Sequence, residues 1–216
     1  MEPTLAWLED PTVFRVNRLD AHSDHVTYLD IQELAAGKTS LRQSLDGLWR
    51  FRWSENPESR PADFWKPDFD DSDFDTIQVP GHMETQGYDQ IQYINKLYDW
   101  DGHAELRPPH IDWRHDPVGS YVTCFDLEET LLEHPVCISF QGVEQAMYVW
   151  LNGHFVGYSE DSFTPSEFDL SPYIHPTGNR LCVEVYKRSS AAWLEDQDFF
   201  SFSGIFRSVY LYAKTK

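Results

Sequence analysis

Residues 193–200 carry three carboxylates within four positions, Glu195, Asp196 and Asp198, next to aromatic side chains. No basic residue in the stretch offsets their charge. Crowded carboxylates in a partly apolar setting must become protonated, accept hydrogen bonds or bind a cation. Oxygen ligands suit hard cations such as Na⁺, Mg²⁺ or Ca²⁺, and a carboxylate beside an aromatic ring suits a sugar, whose hydroxyls need acceptors. An exposed acidic turn is the alternative.

The other chemistry-bearing patterns are incomplete. The acidic run at 68–75 has Asp73 and Val79 where a calcium-binding EF-hand loop needs Gly and Glu, so a solvated turn with Phe69 and Phe74 tucked inward is predicted instead. The histidines at 82, 103, 110 and 115 have neither helical pairing nor a neighbouring Cys, which argues against a zinc site. The chain has no nucleophile elbow, Walker loop or dinucleotide-binding glycine motif.

Composition excludes several classes of function. Lys and Arg total 17 against 36 Asp and Glu, and the net charge of −19 repels phosphate backbones and anionic lipid. Neither a membrane-spanning apolar run nor a signal peptide is visible, so a cytoplasmic protein is expected. Cys124, Cys137 and Cys182 lie in apolar runs and are predicted to be reduced core residues. The aromatic content of 15%, with 8 Trp, fits a β-sandwich core or a platform for a flat ligand.

The elements that must position these residues are mostly strands. Alternating or continuous apolar runs predict strands at 48–53, 76–79, 121–127, 136–140, 146–151, 155–158, 181–186 and 209–212. Asn152 and Gly153 predict a tight hairpin, because both turn positions need a positive φ. Residues 29–36 are a weak helical candidate, and 81–117 form a long irregular crossing. Strands without intervening helices predict an all-β fold, an antiparallel sandwich or jelly roll.

Three motifs occur in a fixed order: Ser-Glu-Phe-Asp-Leu at 166–170, Glu-Asp-Gln-Asp at 195–198 and Ser-Gly-Ile-Phe-Arg at 203–207. In this order and spacing they resemble the N-terminal, sugar-binding domain of glycoside hydrolase family 2 β-galactosidases of the bacterial LacZ type. The large chain of the lactic-acid-bacterial enzymes is especially similar. Further matches extend the likeness over nearly the whole chain: Val-Asn-Arg-Leu at 16–19, Leu-Asp-Gly-Leu-Trp at 45–49, Tyr-Ile-Asn at 93–95 and Trp-Leu-Asn-Gly at 150–153.

The resemblance implies an extended N-terminal arm at 1–40 and a galactose-binding-domain-like jelly roll at 41–216, packed on a catalytic (β/α)₈ barrel absent from this chain. It implies that Asn95 lies by the galactose hydroxyls, and that Asp198 contacts the 6-hydroxyl and ligates Na⁺ together with barrel residues. Mg²⁺ is a further candidate in the longer protein. Arg207 is expected to pair with a buried carboxylate. The chain departs from the common Val-Pro-x-Asn-Trp pattern at 79–83, where it reads Val-Pro-Gly-His-Met.

The function that the resemblance implies is hydrolysis of terminal β-D-galactosides, such as lactose, with retention of configuration. Both catalytic glutamates of the family lie in the barrel, so no catalytic residue is expected in this chain, which is expected to be an inactive piece of an oligomeric enzyme. Its partners would be β-galactosides and the rest of the parent chain or a small subunit, with no nucleic acid and no membrane. The alternative is a non-catalytic carbohydrate-binding or scaffold domain without a direct substrate role.

Overall fold

A computed structural model describes residues 2–94, 98, 100–102 and 105–214. Within them the chain forms fifteen strands. These are β1 (Arg15–Val16), β2 (Arg42–Ser44), β3 (Gly47–Ser54), β4 (Asp75–Val79), β5 (Gln92–Ile94), β6 (Val118–Phe125), β7 (Val136–Phe140), β8 (Val143–Glu144), β9 (Ala146–Leu151), β10 (His154–Glu160), β11 (Ser166–Asp169), β12 (Asn179–Tyr186), β13 (Phe199–Ser201), β14 (Gly204–Ile205) and β15 (Val209–Ala213).

Helical structure among the described residues is short. The α-helix α1 (Ile31–Ala36) begins at Asp30, whose side chain accepts a hydrogen bond from the Glu33 N–H, and ends at Gly37 with φ of 63°. The 3₁₀ helices are η1 (Leu5–Glu9), η2 (Glu84–Gln86), η3 (Trp113–His115), η4 (Glu129–Leu131) and η5 (Ser190–Trp193). None of the helices in this part of the chain is long and apolar enough to cross a membrane.

Two antiparallel sheets make the sandwich. The larger has seven strands in the order β1-β10-β9-β12-β6-β3-β4, and the smaller has four in the order β11-β7-β15-β2. Two small ribbons, β13-β5 and β14-β8, stand outside both sheets. The all-β antiparallel sandwich predicted from the sequence is confirmed.

The main core lies between the two sheets because each contributes alternate apolar side chains to it. Phe51 and Val183 from the larger sheet and Phe140 and Leu211 from the smaller one are fully buried in one cluster. Position 157 on β10 needs a glycine, because a Cβ there would lie 2.4 Å from the ring of Phe168 on β11.

A second apolar cluster covers the outer face of the larger sheet. Trp7 and Leu8 of η1 pack there with Tyr148 and Trp150 of β9. Further along the N-terminal arm, Leu19 donates its backbone N–H to the Glu167 carbonyl at 2.8 Å. The arm is thus attached to both sheets, while the predicted division at residue 40 stays a prediction.

Most local predictions agree with the structure. β7 and β9 begin and end at the predicted residues. Asn152 and Gly153 both have positive φ, 52° and 83°, as the hairpin requires. Phe74 is buried against Phe69 in the acidic turn, with ring centroids 5.9 Å apart.

One core prediction is wrong. Cys137 and Cys182 are buried, but Cys124 is exposed. It lies near the end of β6, where burial falls off from Val122 to Phe125. The apolar run was correct as a strand signal, but it did not show that the second apolar cluster, which covers Val118 and Val122 on the outer face, stops short of Cys124 on that same face.

Candidate functional site

The candidate site lies where the ribbon β5–β13 meets the acidic stretch. Phe200 pairs with Tyr93 and Phe199 with Ile94, which places the start of β13 beside β5. Asp198 directly precedes β13, and the Tyr93 hydroxyl donates a 2.6 Å hydrogen bond to its Oδ1. This contact joins residues that lie 105 positions apart in the sequence.

Asp198 is exposed, and among the described residues its only hydrogen bond is the one at Oδ1. The same bond raises the pKa of the Tyr93 hydroxyl, because the carboxylate accepts a hydrogen bond from the neutral phenol and would repel a phenolate. The pair therefore holds Asp198 as an acceptor that other donors or a cation can still reach. Asn95, the second residue predicted for substrate binding, lies outside the described residues.

The neighbouring acid Glu195 has a different role. Its two carboxyl oxygens accept hydrogen bonds from Ser162, from the backbone N–H at 3.0 Å and from the hydroxyl at 2.5 Å. Burial raises the pKa of Glu195, and these two donors oppose that shift. Glu195 thus fixes the acidic stretch to the segment after β10, whereas Asp196, also acidic, is exposed.

The helix η5 forms the base of the acidic stretch. Its N-cap Ser189 accepts a hydrogen bond from the Ala191 N–H at 3.2 Å, and Glu160 accepts from the same N–H at 3.2 Å. Burial raises the pKa of Glu160 to about 7. At the other end of the helix, the Trp193 ring lies 4.6 Å from that of Trp100, which is 2% exposed. Apolar packing and backbone caps therefore fix this stretch at its base.

A buried charge network lies beside the acidic stretch, and its Lys187 lines the same pocket as Glu195 and Asp196. The Lys187 ammonium lies 2.7 Å from a carboxyl oxygen of both Glu84 and Asp89. Glu84 also accepts from the Ser203 N–H at 2.9 Å and from the Ser203 hydroxyl at 2.7 Å. The side chains of Lys187 and Glu84 are at most 1% exposed. The network joins the loop after β4, the end of β12 and the residue two positions after β13.

The chemistry available here is binding. An exposed carboxylate can accept sugar hydroxyls or ligate a cation, and the half-exposed Tyr93 and Phe200 rings, 57% and 47% exposed, offer apolar surface beside it. No group of three or more His, Cys, Asp or Glu in the described part of the chain could hold a metal ion. A cation at Asp198 would therefore need oxygen ligands other than a cluster of such side chains from the described residues.

Comparison with known proteins assigns the family. Residues 42–215 match the family described as "Glycosyl hydrolases family 2, sugar binding domain". The chain belongs to glycoside hydrolase family 2. The β-galactosidase of Clostridium acetobutylicum is 58% identical over 213 residues, which cover 98% of this chain and 24% of that protein. The β-galactosidase large subunit of Leuconostoc lactis is 55% identical over 226 residues, covering 99% of this chain and 36% of that protein.

Solved structures agree with the family 2 fold. A β-glucuronidase from an uncultured Clostridium species superposes with a TM-score of 0.58 at 20% identity, covering 90% of this chain and 31% of that chain. A Bacteroides uniformis β-glucuronidase 2 gives 0.58 at 22% identity, covering 80% of this chain and 18% of that one. At these identities the likeness shows the fold alone. The chain spans about a quarter to a third of the length of the relatives named above.

At 79–83, where the resemblance led to an expected Val-Pro-x-Asn-Trp, the structure shows how the two differing residues, His82 and Met83, pack. His82 occupies the Asn position, and its ring stacks on Phe206 at 5.1 Å with an interplanar angle of 9°. The Phe202 ring lies 4.5 Å away on a tilt of 32°. Burial lowers the pKa of His82, which favours the neutral ring. Met83 is fully buried.

Arg207, in the family 2 motif at 203–207, does not behave as expected. Its guanidinium donates to the Phe163 carbonyl at 2.8 Å and lies 5.0 Å from the Phe206 ring. Arg207 pairs with no carboxylate among the residues that the structure describes, so the prediction of a buried carboxylate partner is wrong. A backbone carbonyl is sufficient as an acceptor because Arg207 is exposed and its guanidinium stays hydrated.

Sequence reasoning missed three residues that build the site. The sequence shows Tyr93 only within the Tyr-Ile-Asn motif, and no motif marks Glu84 or Lys187. A signal was present for Lys187, since it directly follows the apolar strand at 181–186 and is almost fully buried. A lysine in such a position needs a buried acid as its partner, but the sequence does not say which of 36 acids that is.

Proposed function

We propose that this chain is the sugar-binding domain of a longer β-galactosidase that hydrolyses terminal non-reducing β-D-galactose residues, such as that of lactose, with retention of configuration. Identities of 58% and 55% over nearly the whole chain, both to proteins named β-galactosidase, support the assignment. In this scheme two glutamates outside the domain do the chemistry. The domain itself is inactive and supplies Asp198 and Asn95 to the galactose site.

The observation that carries the proposal is the exposed Asp198 carboxylate, held by Tyr93 at 2.6 Å. In the proposed complex Asp198 accepts the galactosyl 6-hydroxyl, and Asn95 lies by the other ring hydroxyls. Contacts of this kind raise the rate when they tighten in the transition state, and they also orient the sugar. Glu195 is already committed to Ser162 and takes no part in binding.

A sodium ion fits Asp198 as one ligand among several. The carboxylate is a hard oxygen donor with a single hydrogen bond from the described residues. Further oxygen ligands would come from the rest of the parent protein, since no cluster of three or more His, Cys, Asp or Glu among the described residues surrounds Asp198. When bound, Na⁺ would supply positive charge beside the sugar hydroxyl that Asp198 accepts. Mg²⁺ elsewhere in the parent remains a second proposal.

The partner of this surface would be the catalytic part of the same protein, in one chain or as a small subunit, within a cytoplasmic oligomer. Near the Asp198 ribbon Ile91 is 57% exposed and Leu194 is 83% exposed, besides Tyr93 and Phe200. Exposed apolar side chains around a polar site mark an interaction surface. The large-subunit names of two relatives, from Leuconostoc lactis and Latilactobacillus sakei, support a two-chain form.

The test is steady-state hydrolysis of an aryl β-galactoside by the full-length protein, wild type against Asp198→Ala, with and without Na⁺. We expect kcat/KM to fall at least about a hundredfold and the sodium dependence to disappear. Asp20→Ala is the control, since it removes the same charge from an exposed ion pair with Arg15. Unchanged kinetics in a folded Asp198→Ala protein would favour a scaffold role instead.

A further inference from the structure

A second cleft opens on the outer face of the larger sheet, at the far end of β9 from the site described above. Its volume is about 430 Å³, within the range of small-ligand sites. It shares no lining residue with the pocket beside the acidic stretch. Its walls come from the N-terminal segment, the loop after β3 and the β9–β10 hairpin, and include Leu5, Arg60, Trp65, Trp150, Phe155 and Glu184.

The aromatic residues of the cleft form a platform of nearly parallel rings. Trp65 and Trp150 have ring centroids 6.0 Å apart at an interplanar angle of 6°. Tyr148 and Trp150 are 6.1 Å apart at 18°, because alternate residues of β9 point to the same face. Tyr148 and Trp150 are almost fully buried and form the floor, whereas Trp65 and Phe155 are half-buried walls.

Polar groups converge at one edge of this platform. Arg60 donates from Nε to Glu184 at 3.1 Å, and the Tyr186 hydroxyl donates to the other Glu184 oxygen at 2.8 Å. The Glu184 side chain is 7% exposed and that of Arg60 26%. Burial raises the pKa of Glu184, although Arg60 opposes the shift. An ion pair recessed at the edge of an apolar platform offers both donors and acceptors to a hydroxyl-rich ligand.

We propose that this cleft binds a pyranose ring of a neutral oligosaccharide. The half-buried Trp65 ring, supported from behind by the parallel Trp150, offers apolar surface to the C–H face of a sugar, while the Arg60–Glu184 pair suits its hydroxyls. A cage for an organic cation would need rings at steep angles on several sides, whereas among the described residues that line this cleft the rings are nearly parallel except Phe155, at 62° to Trp150. An anionic ligand would meet Glu184 and the acidic surface of a chain with a net charge of −19.

The test is saturation-transfer NMR and calorimetry on the full-length protein with a thio-linked analogue of lactose, which resists hydrolysis. Trp65→Ala should weaken the cleft's affinity about tenfold, because it removes an aromatic wall. Phe155→Leu keeps apolar volume but loses the ring, and should weaken binding in the same direction. Hydrolysis of an aryl β-galactoside should stay unchanged in both variants.

Tyr93→Ala is the matched control, since it removes a half-exposed aromatic residue beside Asp198 and leaves the cleft intact. If the ligand fails to bind the wild type outside the Asp198 site, or if Trp65→Ala and Phe155→Leu bind it as the wild type does, the proposal is overturned. Binding lost only in Tyr93→Ala would assign all sugar affinity to the Asp198 site and would likewise overturn it. The proposed galactosidase activity is tested separately, by the hydrolysis assay with Asp198→Ala.

Discussion

The buried Lys187 network offers a strong test of how the candidate site is built. Lys187→Met removes the ammonium that lies 2.7 Å from both Glu84 and Asp89. Asp89 keeps 17% of its side chain exposed and can turn to solvent, but the Glu84 side chain is fully buried. The substitution therefore leaves a fully buried carboxylate without its cation.

The cost follows from that uncompensated charge. Breaking a buried ion pair by removing one partner destabilises a protein by about 3–5 kcal/mol. The Ser203 N–H and hydroxyl still donate to Glu84, which places the expected loss toward the lower end, at about 3 kcal/mol. For a chain of this size that corresponds to roughly 6–12 °C in the melting temperature.

The assay is urea unfolding of the purified protein at pH 7, followed by tryptophan fluorescence and circular dichroism. Lys66→Met is the matched control, because Lys66 forms an exposed pair with Asp63 and should lose less than about 0.5 kcal/mol. Adding Glu84→Gln to Lys187→Met should restore part of the stability, since no buried charge then lacks a partner. A loss below about 1 kcal/mol, or a double variant weaker than Lys187→Met alone, would refute the reasoning.

Three further predictions concern other residues. Burial raises the pKa of Asp116 from 3.8 to about 7, so the folded state binds this proton more tightly than the unfolded state does, and the free energy of unfolding should fall as pH rises from about 4 to 7. In urea unfolding across this range, Asp116→Asn should flatten the dependence of that free energy on pH, and an unchanged dependence would contradict the raised pKa of Asp116. Gly157→Ala should cost about 3 kcal/mol in urea unfolding, because its Cβ would lie 2.4 Å from the Phe168 ring, and a loss within about 0.5 kcal/mol would count against that contact. Tyr93→Phe should lower kcat/KM of the proposed hydrolysis by about three- to tenfold with the melting temperature unchanged, and wild-type kinetics would show that its bond to Asp198 does not matter.

Much of the fold could be predicted because its signals are local. The apolar run at 146–151 gave a strand with the correct ends, and Asn152 and Gly153 gave the turn that follows. The short strands β5 and β13 were not predicted, since three residues carry too little periodicity to distinguish a strand from a loop.

The candidate site was predictable as a stretch, but the roles of its acids were not. The sequence by itself determined that carboxylates and aromatic rings crowd residues 193–200, and that the surrounding fold is a β-sandwich. Only the tertiary structure decided that Glu195 is fixed by Ser162, 33 positions away, while Asp198 stays exposed beside Tyr93, 105 positions away. A strand pattern depends on residues that are neighbours in the sequence. The role of a charged group depends on its solvent exposure and on the distant residue that the fold brings next to it.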